Sequence, residues 1–249
     1  MSEPRAATAD GSLPTPGAPE KAAVRSMFDR IAPRYDLLNR LLSAGIDVRW
    51  RRACVDMLDL RGAIRVVDLC TGTGALLIEV LRRDQGSTGV GVDLSSAMLI
   101  RGQRKLRQGS LATRGSLALG DAERLPLRGA LFDGALVSFG IRNVGNVEAA
   151  FREVFRVLKP RGRFVVLEFS MPAGLLGRAY RLYFGRLLPF IGGLISGDRG
   201  AYSYLPASVE RFPSPVEFSA LLERSGFTGV HRRALTGGIA YLYRGDKAA

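Results

Sequence analysis

The sequence is poor in the residues that form disulfides and hold metals. It has two cysteines, Cys54 and Cys70, and a single histidine among its 249 residues. Two cysteines are too few for a disulfide framework or for a structural zinc site. We therefore expect a protein of the reducing cytoplasm with no bound metal.

Long apolar runs and acidic residues are also scarce. No run approaches the ~18 apolar residues of a membrane-spanning helix, and the N-terminus MSEPRAATADGS lacks the pattern of an export signal. Asp and Glu number 23 against 36 Lys and Arg, a net charge of +13. Such a charge is compatible with nucleic acid, an anionic membrane surface or an acidic substrate. Because the basic residues are scattered, we favour a compositional bias first, a membrane surface second and nucleic acid last.

The most informative stretch that is present runs from residue 66 to 74 and reads VVDLCTGTG. An apolar strand reaches the carboxylate of Asp68, breaks into a glycine turn and is followed by a helical pattern. Gly72 and Gly74 let the backbone approach a ligand at the head of that helix, where free N–H groups favour a carboxylate or phosphate. A dinucleotide fingerprint has Gly or Ala where this chain has Leu77, which argues against NAD.

Two more acidic loops follow the next two predicted strands. Asp93 ends GVGV at the position where a carboxylate holds ribose hydroxyls. Asp121 can accept a hydrogen bond from an adenine amino group, and the N–H of Ala122 can donate to a ring nitrogen. The alternatives are a residue flanking a helix for Asp93 and a simple turn for Asp121. Three such loops at one sheet edge predict an adenosine-type cofactor site.

Strand and helix patterns alternate from residue 64 to 169, and two closing strands are predicted between 226 and 244. We interpret Lys159–Gly162 as a turn before the fifth strand. This rhythm predicts an α/β fold with a doubly wound, mostly parallel, seven-stranded sheet. We expect a flexible leader at 1–20 and a single domain at 21–249. The domain is divided into a helical lid at 21–60, a cofactor-binding core at 61–170, and substrate-side helices with closing strands at 171–249.

The three loops together resemble the S-adenosylmethionine site of the Rossmann-like class I methyltransferases. Outside them, YDLLNRLLSAGIDVRW (35–50) and RVLKPRGRFVVLEFS (156–170) resemble the two signatures of the C-methyltransferases of menaquinone and ubiquinone biosynthesis. SFGIRNV (138–144) and AYSYLPASVERFP (201–213) are similar to segments of the same family. The resemblance covers nearly the whole chain after the leader.

The resemblance implies methylation of a ring carbon of a polyprenylated quinol, demethylmenaquinol ahead of the benzoquinol of the ubiquinone route. An RNA methyltransferase is the rival enzyme, but SFGI stands where its amino-methylating members have an acidic or amide residue before two prolines. A non-catalytic, cofactor-binding subunit is the other alternative. The implied contacts with S-adenosylmethionine come from Gly72, Thr73, Asp93, Asp121, Ala122 and Ser138.

Methylation of a quinol carbon requires a base and a cation for the developing phenolate. Arg142 is the candidate cation, and Asn143 is expected to orient the ring oxygen. Tyr35 and Asp36 are further candidates for substrate contact or proton transfer, and the base is left open. The alternative is that Arg142 and Asn143 form a surface turn at the end of the fourth strand.

Four positions depart from the patterns of these relatives. The class motif has glycine at Cys70, which we interpret as a packing residue. The family has His at Asp47, Met at Leu38 and Gly at Arg161. Asp47 puts a neutral base at that position in doubt, and Arg161 is tolerable unless the turn needs a positive φ.

A late apolar segment, LYFGRLLPFIGGLI (182–195), has arginines nearby at Arg178, Arg181 and Arg186. It is expected to cover a prenyl tail or to rest on an anionic bilayer surface, which would make the protein peripheral on the inner face of the membrane. A core-packing crossover helix is an equal alternative.

Overall fold

The computed structural model describes residues 20–172, 174–183 and 199–249. The predicted leader therefore lies outside the described residues, except for residue 20. The helices are α1 (Lys21–Ile31), α2 (Tyr35–Leu42), α3 (Ile46–Leu58), α4 (Ala75–Arg83), α5 (Ser96–Gln108), α6 (Val147–Val157), α7 (Gly174–Leu182), α8 (Arg199–Arg211) and α9 (Pro215–Arg224). The strands are β1 (Arg65–Leu69), β2 (Thr88–Asp93), β3 (Gly115–Leu119), β4 (Phe132–Ser138), β5 (Leu158–Phe169), β6 (Thr228–Leu235) and β7 (Ala240–Asp246).

The strands form one seven-stranded sheet in the order β3-β2-β1-β4-β5-β7-β6. The first five pair in parallel, and β7 runs antiparallel to both of its neighbours. The predicted doubly wound, mostly parallel sheet is confirmed. Because the order reverses beside β1, the loops after β1, β2 and β4 meet at the edge where such folds bind ligands.

Alternate residues of the central strands are buried on opposite faces of the sheet. Val67 and Val137 belong to a core that includes α6 and α9, whereas Val66 and Leu136 belong to a core that includes α3 and α4. All four side chains are fully buried. Burial on both faces explains why these strands have continuous apolar sequences.

The predicted turn at Lys159–Gly162 is wrong in one respect, because these residues belong to β5. The pairs Phe132–Leu158 and Gly134–Arg163 leave them looped out of register as a bulge. Arg161 has φ +63° at this bulge, and its N–H donates to the carbonyl of Lys247 at 3.1 Å. The position therefore uses the left-handed conformation that glycine adopts without strain.

The first two helices pack against α5 and α8, and we refer to them as the lid helices. Met27 and Ile31 of α1 and Leu38 of α2 are buried in a cluster with Met98 of α5 and Val209 of α8. A left-handed Gly45, with φ +77°, separates α2 from α3. Leu38, at the position where the family has Met, is fully buried.

Of the apolar segment 182–195, only residues 182 and 183 are among the described residues, so its predicted role is not addressed. Arg178 is exposed on α7. In the described part of the chain, no helix combines the length and the apolar character that crossing a bilayer requires.

Candidate active site

A cleft of about 700 Å³ lies between α1 and the loops that follow β1, β2, β3 and β4. Five of the six residues predicted to contact the cofactor line it: Gly72, Asp93, Asp121, Ala122 and Ser138. The sixth, Thr73, lines a polar cavity that continues from the same glycine turn. The three acidic loops thus converge at one sheet edge.

The glycine turn has three residues in the left-handed region: Cys70 at φ +48°, Gly72 at +55° and Gly74 at +75°. Cys70 therefore holds the conformation of the glycine it replaces. A Cβ on Gly140 would lie 2.3 Å from Cys70 Cβ, so Gly140 makes room for this side chain. Burial raises the pKa of the Cys70 thiol well above its usual value. A protonated, packed thiol agrees with the interpretation of Cys70 as a packing residue.

Asp68 ties the turn to the start of α4. Its Oδ2 accepts from the Thr71 hydroxyl at 2.5 Å and from the N–H of Leu77 at 3.2 Å. Among the described residues, Oδ1 has no hydrogen-bond partner. Burial, opposed in part by these hydrogen bonds, raises the pKa of Asp68 to about 7. Asp68 is thus a structural carboxyl with one free oxygen beneath the cofactor turn.

Asp93 joins the first two loops. Oδ2 accepts from the N–H of Gly72 and Oδ1 from the N–H of Ser95, both at 2.8 Å. Burial raises the pKa of Asp93, and hydrogen bonds from the N–H groups of Ser95, Gly72 and Leu94 oppose that shift. A carboxylate has about four acceptor sites, so capacity remains for a ligand hydroxyl.

Asp121 is held from both sides. Oδ1 accepts from the N–H of Glu123 at 2.9 Å, and Oδ2 lies 2.6 Å from Nζ of Lys21, the first residue of α1. Lys21 also pairs with Glu123 at 2.7 Å. The neighbouring Ala122 is buried.

Polar contacts between the lid and the cofactor loops recur at two further points. Asp29 of α1 accepts from the Ser95 hydroxyl at 2.5 Å. Asp36 of α2 accepts from the Thr73 hydroxyl at 2.7 Å and pairs with Lys105 at 3.0 Å. With Lys21, these contacts connect the lid to all three loops. Sequence reasoning missed Lys21, Asp29 and Lys105, which belong to no motif.

Beyond the cleft lies an apolar cavity under α1, α2 and α3. Its wall includes an aromatic trio: Phe139 and Phe169 stack with ring centroids 4.2 Å apart, and Trp50 packs against both at 5.9 and 6.0 Å. Tyr35 and Phe139 line the cleft and this cavity alike. They mark the junction of the two spaces.

Arg142 lines the apolar cavity, with its guanidinium 5.4 Å from the centre of the Phe169 ring. Nη1 donates to Glu168 Oε1 and to the carbonyl of Phe139, both at 2.5 Å, and Nε donates to the Ser208 hydroxyl at 3.3 Å. The Glu168 side chain is 0% exposed. Burial raises the pKa of Glu168, and Arg142 opposes the shift. Arg142 is thus not part of a surface turn.

Sequence reasoning missed Glu168 as the partner of Arg142. A signal was present, because it is an acidic residue inside the otherwise apolar strand FVVLEF. A buried charge in such a strand requires a partner.

The other residues predicted to act on the substrate, Asn143 and Tyr35, and the family-variant position Asp47 line different parts of the cleft and the two cavities. Asn143 lines the cofactor cleft, and its Oδ1 accepts from the Tyr204 hydroxyl at 3.0 Å. Tyr35 shares a side-chain hydrogen bond with Asn39, and burial raises the pKa of its phenol. Asp47 is buried and lines both the polar and the apolar cavities.

The fold is that of the class I methyltransferases. A solved structure of an S-adenosylmethionine-dependent methyltransferase from Thermotoga maritima, a possible histamine N-methyltransferase, superposes with a TM-score of 0.64 at 20% identity. The match covers 90% of this chain and 99% of that one.

Within that class, the chain belongs to the ubiE/COQ5 methyltransferase family, whose profile matches residues 17–247. It is 48% identical to the demethylmenaquinone methyltransferase of Thermus thermophilus, over 89% of this chain and all of the relative. It is 52% identical to the ubiquinone/menaquinone biosynthesis C-methyltransferase UbiE of Syntrophotalea carbinolica, over 90% of this chain and 94% of the relative. The family resemblance of the sequence is confirmed.

Proposed function

We propose that this protein transfers the methyl group of S-adenosylmethionine to a ring carbon of demethylmenaquinol. The family and the names of its relatives support a quinol substrate. The observation that carries the proposal is the apolar cavity, which has an aromatic wall and the buried guanidinium of Arg142 and adjoins the cofactor cleft at Tyr35 and Phe139. Such a cavity suits a planar ring with a prenyl tail.

The cofactor is proposed to lie across the three loops. Asp93 would accept from the ribose hydroxyls and Asp121 from the adenine amino group, while the N–H of Ala122 donates to the adenine ring. Gly72, Thr73 and Ser138 would surround the methionine end, next to the junction residues. This direction places the sulfonium towards the apolar cavity.

The bond that breaks joins the methyl group to the sulfonium, and the bond that forms joins it to the ring carbon. Loss of the proton from the adjacent hydroxyl to water makes that carbon nucleophilic, and the sulfonium leaves as the thioether of S-adenosylhomocysteine. Loss of the ring proton to water then restores aromaticity and the oxygen regains a proton, so that one proton is released in each turnover. Arg142 stabilises the phenolate that develops. Its Nε and Nη1 are fixed by Ser208, Phe139 and Glu168, so the guanidinium plane is preorganised.

Tyr35 and Asn143 are proposed to position the reactants. Because burial raises the pKa of Tyr35, its phenol stays protonated near neutral pH and acts as a hydrogen-bond donor, not as the base. Asn143 lines the cofactor cleft, and because its Oδ1 accepts from Tyr204, its amide N–H groups are proposed to donate to the ring oxygen. Asp36 accepts from Thr73 and pairs with Lys105, so we assign it to the contact between the lid helices and the cofactor loops and not to the substrate ring.

Methyl transfer from labelled S-adenosylmethionine tests the proposal directly. Purified protein is assayed anaerobically with a short-chain demethylmenaquinol, with the corresponding benzoquinol of the ubiquinone route, and with bulk RNA. We expect most of the label in the naphthoquinol product. Label only in the benzoquinol would reassign the substrate, and label only in RNA or in none of the three would overturn the proposal.

A further inference from the structure

We infer that Asp47 makes the substrate cavity selective for the hydroquinone over the oxidised quinone. The inference rests on the proposed function, because it assumes that a 1,4-quinol ring occupies the apolar cavity. The evidence lies in an ion pair that the methyl transfer itself does not use.

Asp47 occupies the first turn of α3 with a side chain only 8% exposed. Its Oδ2 accepts from Arg51 Nη2 at 2.6 Å, and Oδ1 accepts from the Ser43 hydroxyl at 2.8 Å. The Arg51 side chain is 18% exposed, so the pair is largely shielded from water. Each oxygen of Asp47 thus accepts one hydrogen bond, and both retain a lone pair for another donor.

The helix that carries this pair is rigidly placed. Trp50 lies three residues after Asp47, and its Nε1 donates to the Thr236 hydroxyl at 2.9 Å. Its ring packs on Phe139 and Phe169, the stacked rings of the cavity wall. Asp47 is therefore held at a fixed position relative to the aromatic trio.

The cavity contains two ion pairs that present opposite chemistry. Arg142 lines it while Glu168 is fully buried behind, so that pair offers a donor. Asp47 itself lines it together with Arg51, so this pair adds an acceptor. The two oxygens of a 1,4-quinol lie at opposite ends of the ring, and the inference assigns one oxygen to Arg142 and the other to Asp47, which line the same cavity.

Oxidation changes what those two oxygens can do. A hydroxyl donates and accepts, whereas a quinone carbonyl only accepts. Arg142 can donate to either form, but an ionised Asp47 can pair only with a hydroxyl. A carbonyl facing this carboxylate would leave two acceptors opposed, and a lost buried hydrogen bond discriminates strongly. Only the hydroquinone carbon is nucleophilic, so this selection keeps the unreactive form out.

Binding can be followed through Trp50, which is the only tryptophan of the sequence and lies in the cavity wall. The probes are 2-geranyl-1,4-naphthoquinone and its hydroquinone, the latter kept under argon. We expect the wild-type protein to bind the hydroquinone at least about 10-fold more tightly. In Asp47→Asn, whose amide can donate to a carbonyl, the ratio should fall to about 3-fold or less through tighter binding of the quinone.

Asp56→Asn is the matched control, because Asp56 lies on the same helix with a side chain 63% exposed and should leave the ratio unchanged. If Asp47→Asn does not fold, the double variant Asp47→Asn/Arg51→Gln removes both charges and is expected to give the same reduced ratio. Equal wild-type affinities would mean that Arg51 faces the ring and would overturn the inference. An equal change of both affinities in the variant would show a merely structural role.

The proposed function and this inference fail in different ways. If the wild-type protein binds the hydroquinone but transfers no methyl group to it, the proposed function fails whatever the binding ratio. If methyl transfer proceeds and the ratio is near one, only the selectivity of Asp47 is refuted.

Discussion

The cofactor cleft and the apolar cavity share the residues at their junction but are built in different ways. The cleft takes its acidic groups from consecutive loops, where Asp93 and Asp121 accept from backbone N–H groups within two residues of them. The cavity has the local pair of Asp47 with Arg51 and a fully buried pair of Arg142 with Glu168, which lie 26 residues apart in sequence. Neighbouring backbone groups orient the carboxylates of the cleft, whereas a buried long-range ion pair orients the Arg142 of the cavity.

This difference predicts how each region responds to substitution. The cleft carboxylates bond backbone groups that other acceptors or water can satisfy at the sheet edge. Water cannot replace a partner in the buried pair of the cavity, so loss of one residue leaves the other buried with an unpaired charge. Changes in the cavity are therefore expected to affect stability and turnover, and changes in the cleft to affect cofactor affinity.

The largest effect is expected for Glu168→Ala. The substitution leaves Arg142 buried, with a side chain 7% exposed, and without its carboxylate. We expect a loss of about 3–5 kcal/mol in the free energy of unfolding, measured by urea denaturation. Asp56→Ala is the control, because Asp56 has a side chain 63% exposed and pairs with Arg83 at the surface, so its loss should cost about 0–1 kcal/mol. Similar losses of unfolding free energy in both variants would show that the buried ion pair stabilises the fold no more than an exposed one does.

The next effect concerns Asp68 and pH. Its pKa is raised to about 7 in the folded protein, whereas an unfolded Asp titrates near about 4. The folded state therefore binds the proton more tightly, and the stabilisation is present below about pH 4 and is lost as the pH rises towards 7. We expect the free energy of unfolding to fall by up to about 4 kcal/mol across this interval relative to Asp68→Asn. If the unfolding free energy of the wild type relative to Asp68→Asn rose with pH instead, the folded protein would favour the ionised form of Asp68 and the prediction would be wrong.

The two regions can be separated with a pair of enzyme variants. Arg142→Lys keeps a charge but loses the planar fork held by Glu168 and Phe139, so we expect turnover to fall about 100-fold with cofactor affinity nearly unchanged. Asp93→Asn should weaken cofactor affinity about 10-fold with a smaller effect on turnover at saturation. Steady-state kinetics and cofactor titration measure both. Equal loss of both quantities in Arg142→Lys would contradict its assignment to the substrate.

The fold could be predicted because its signals are local. The apolar run at Val66 and the glycine turn place β1 and α4, and the alternation of patterns gives the sheet. The exception was the bulge in β5, where Pro160 and Gly162 indicated a turn. The strand continues through them because Arg161 adopts a positive φ and its N–H donates to the carbonyl of Lys247, the residue after β7.

The site was predictable to the same extent. The cleft residues follow from loops at strand ends, whose position the fold determines. The ion pair of Arg142 with Glu168 and the contacts of Lys21 join segments that no sequence period relates. Distance in sequence carries no signal of contact, so these partners needed the structure.

The smallest effect is expected where the lid meets the cleft. Lys21 pairs with Asp121 at 2.6 Å, with side chains 39% and 29% exposed, and such pairs contribute about 0–1 kcal/mol. Lys21→Ala frees an oxygen of Asp121 but also releases one end of the lid, and we expect release to dominate. S-adenosylmethionine should then dissociate up to about 3-fold faster in stopped-flow measurements, and the salt dependence of that rate should shrink.

Lys159→Ala is the matched control for this contact, because Lys159 pairs with Asp133 at 2.7 Å with similar exposures of 44% and 30%, far from the cleft. It should leave cofactor dissociation unchanged. Slower dissociation in Lys21→Ala would mean that Lys21 competes with the adenine for Asp121. The lid would then restrain the cleft instead of closing it, and the charged contacts of Asp29 and Asp36 would need the same reassessment.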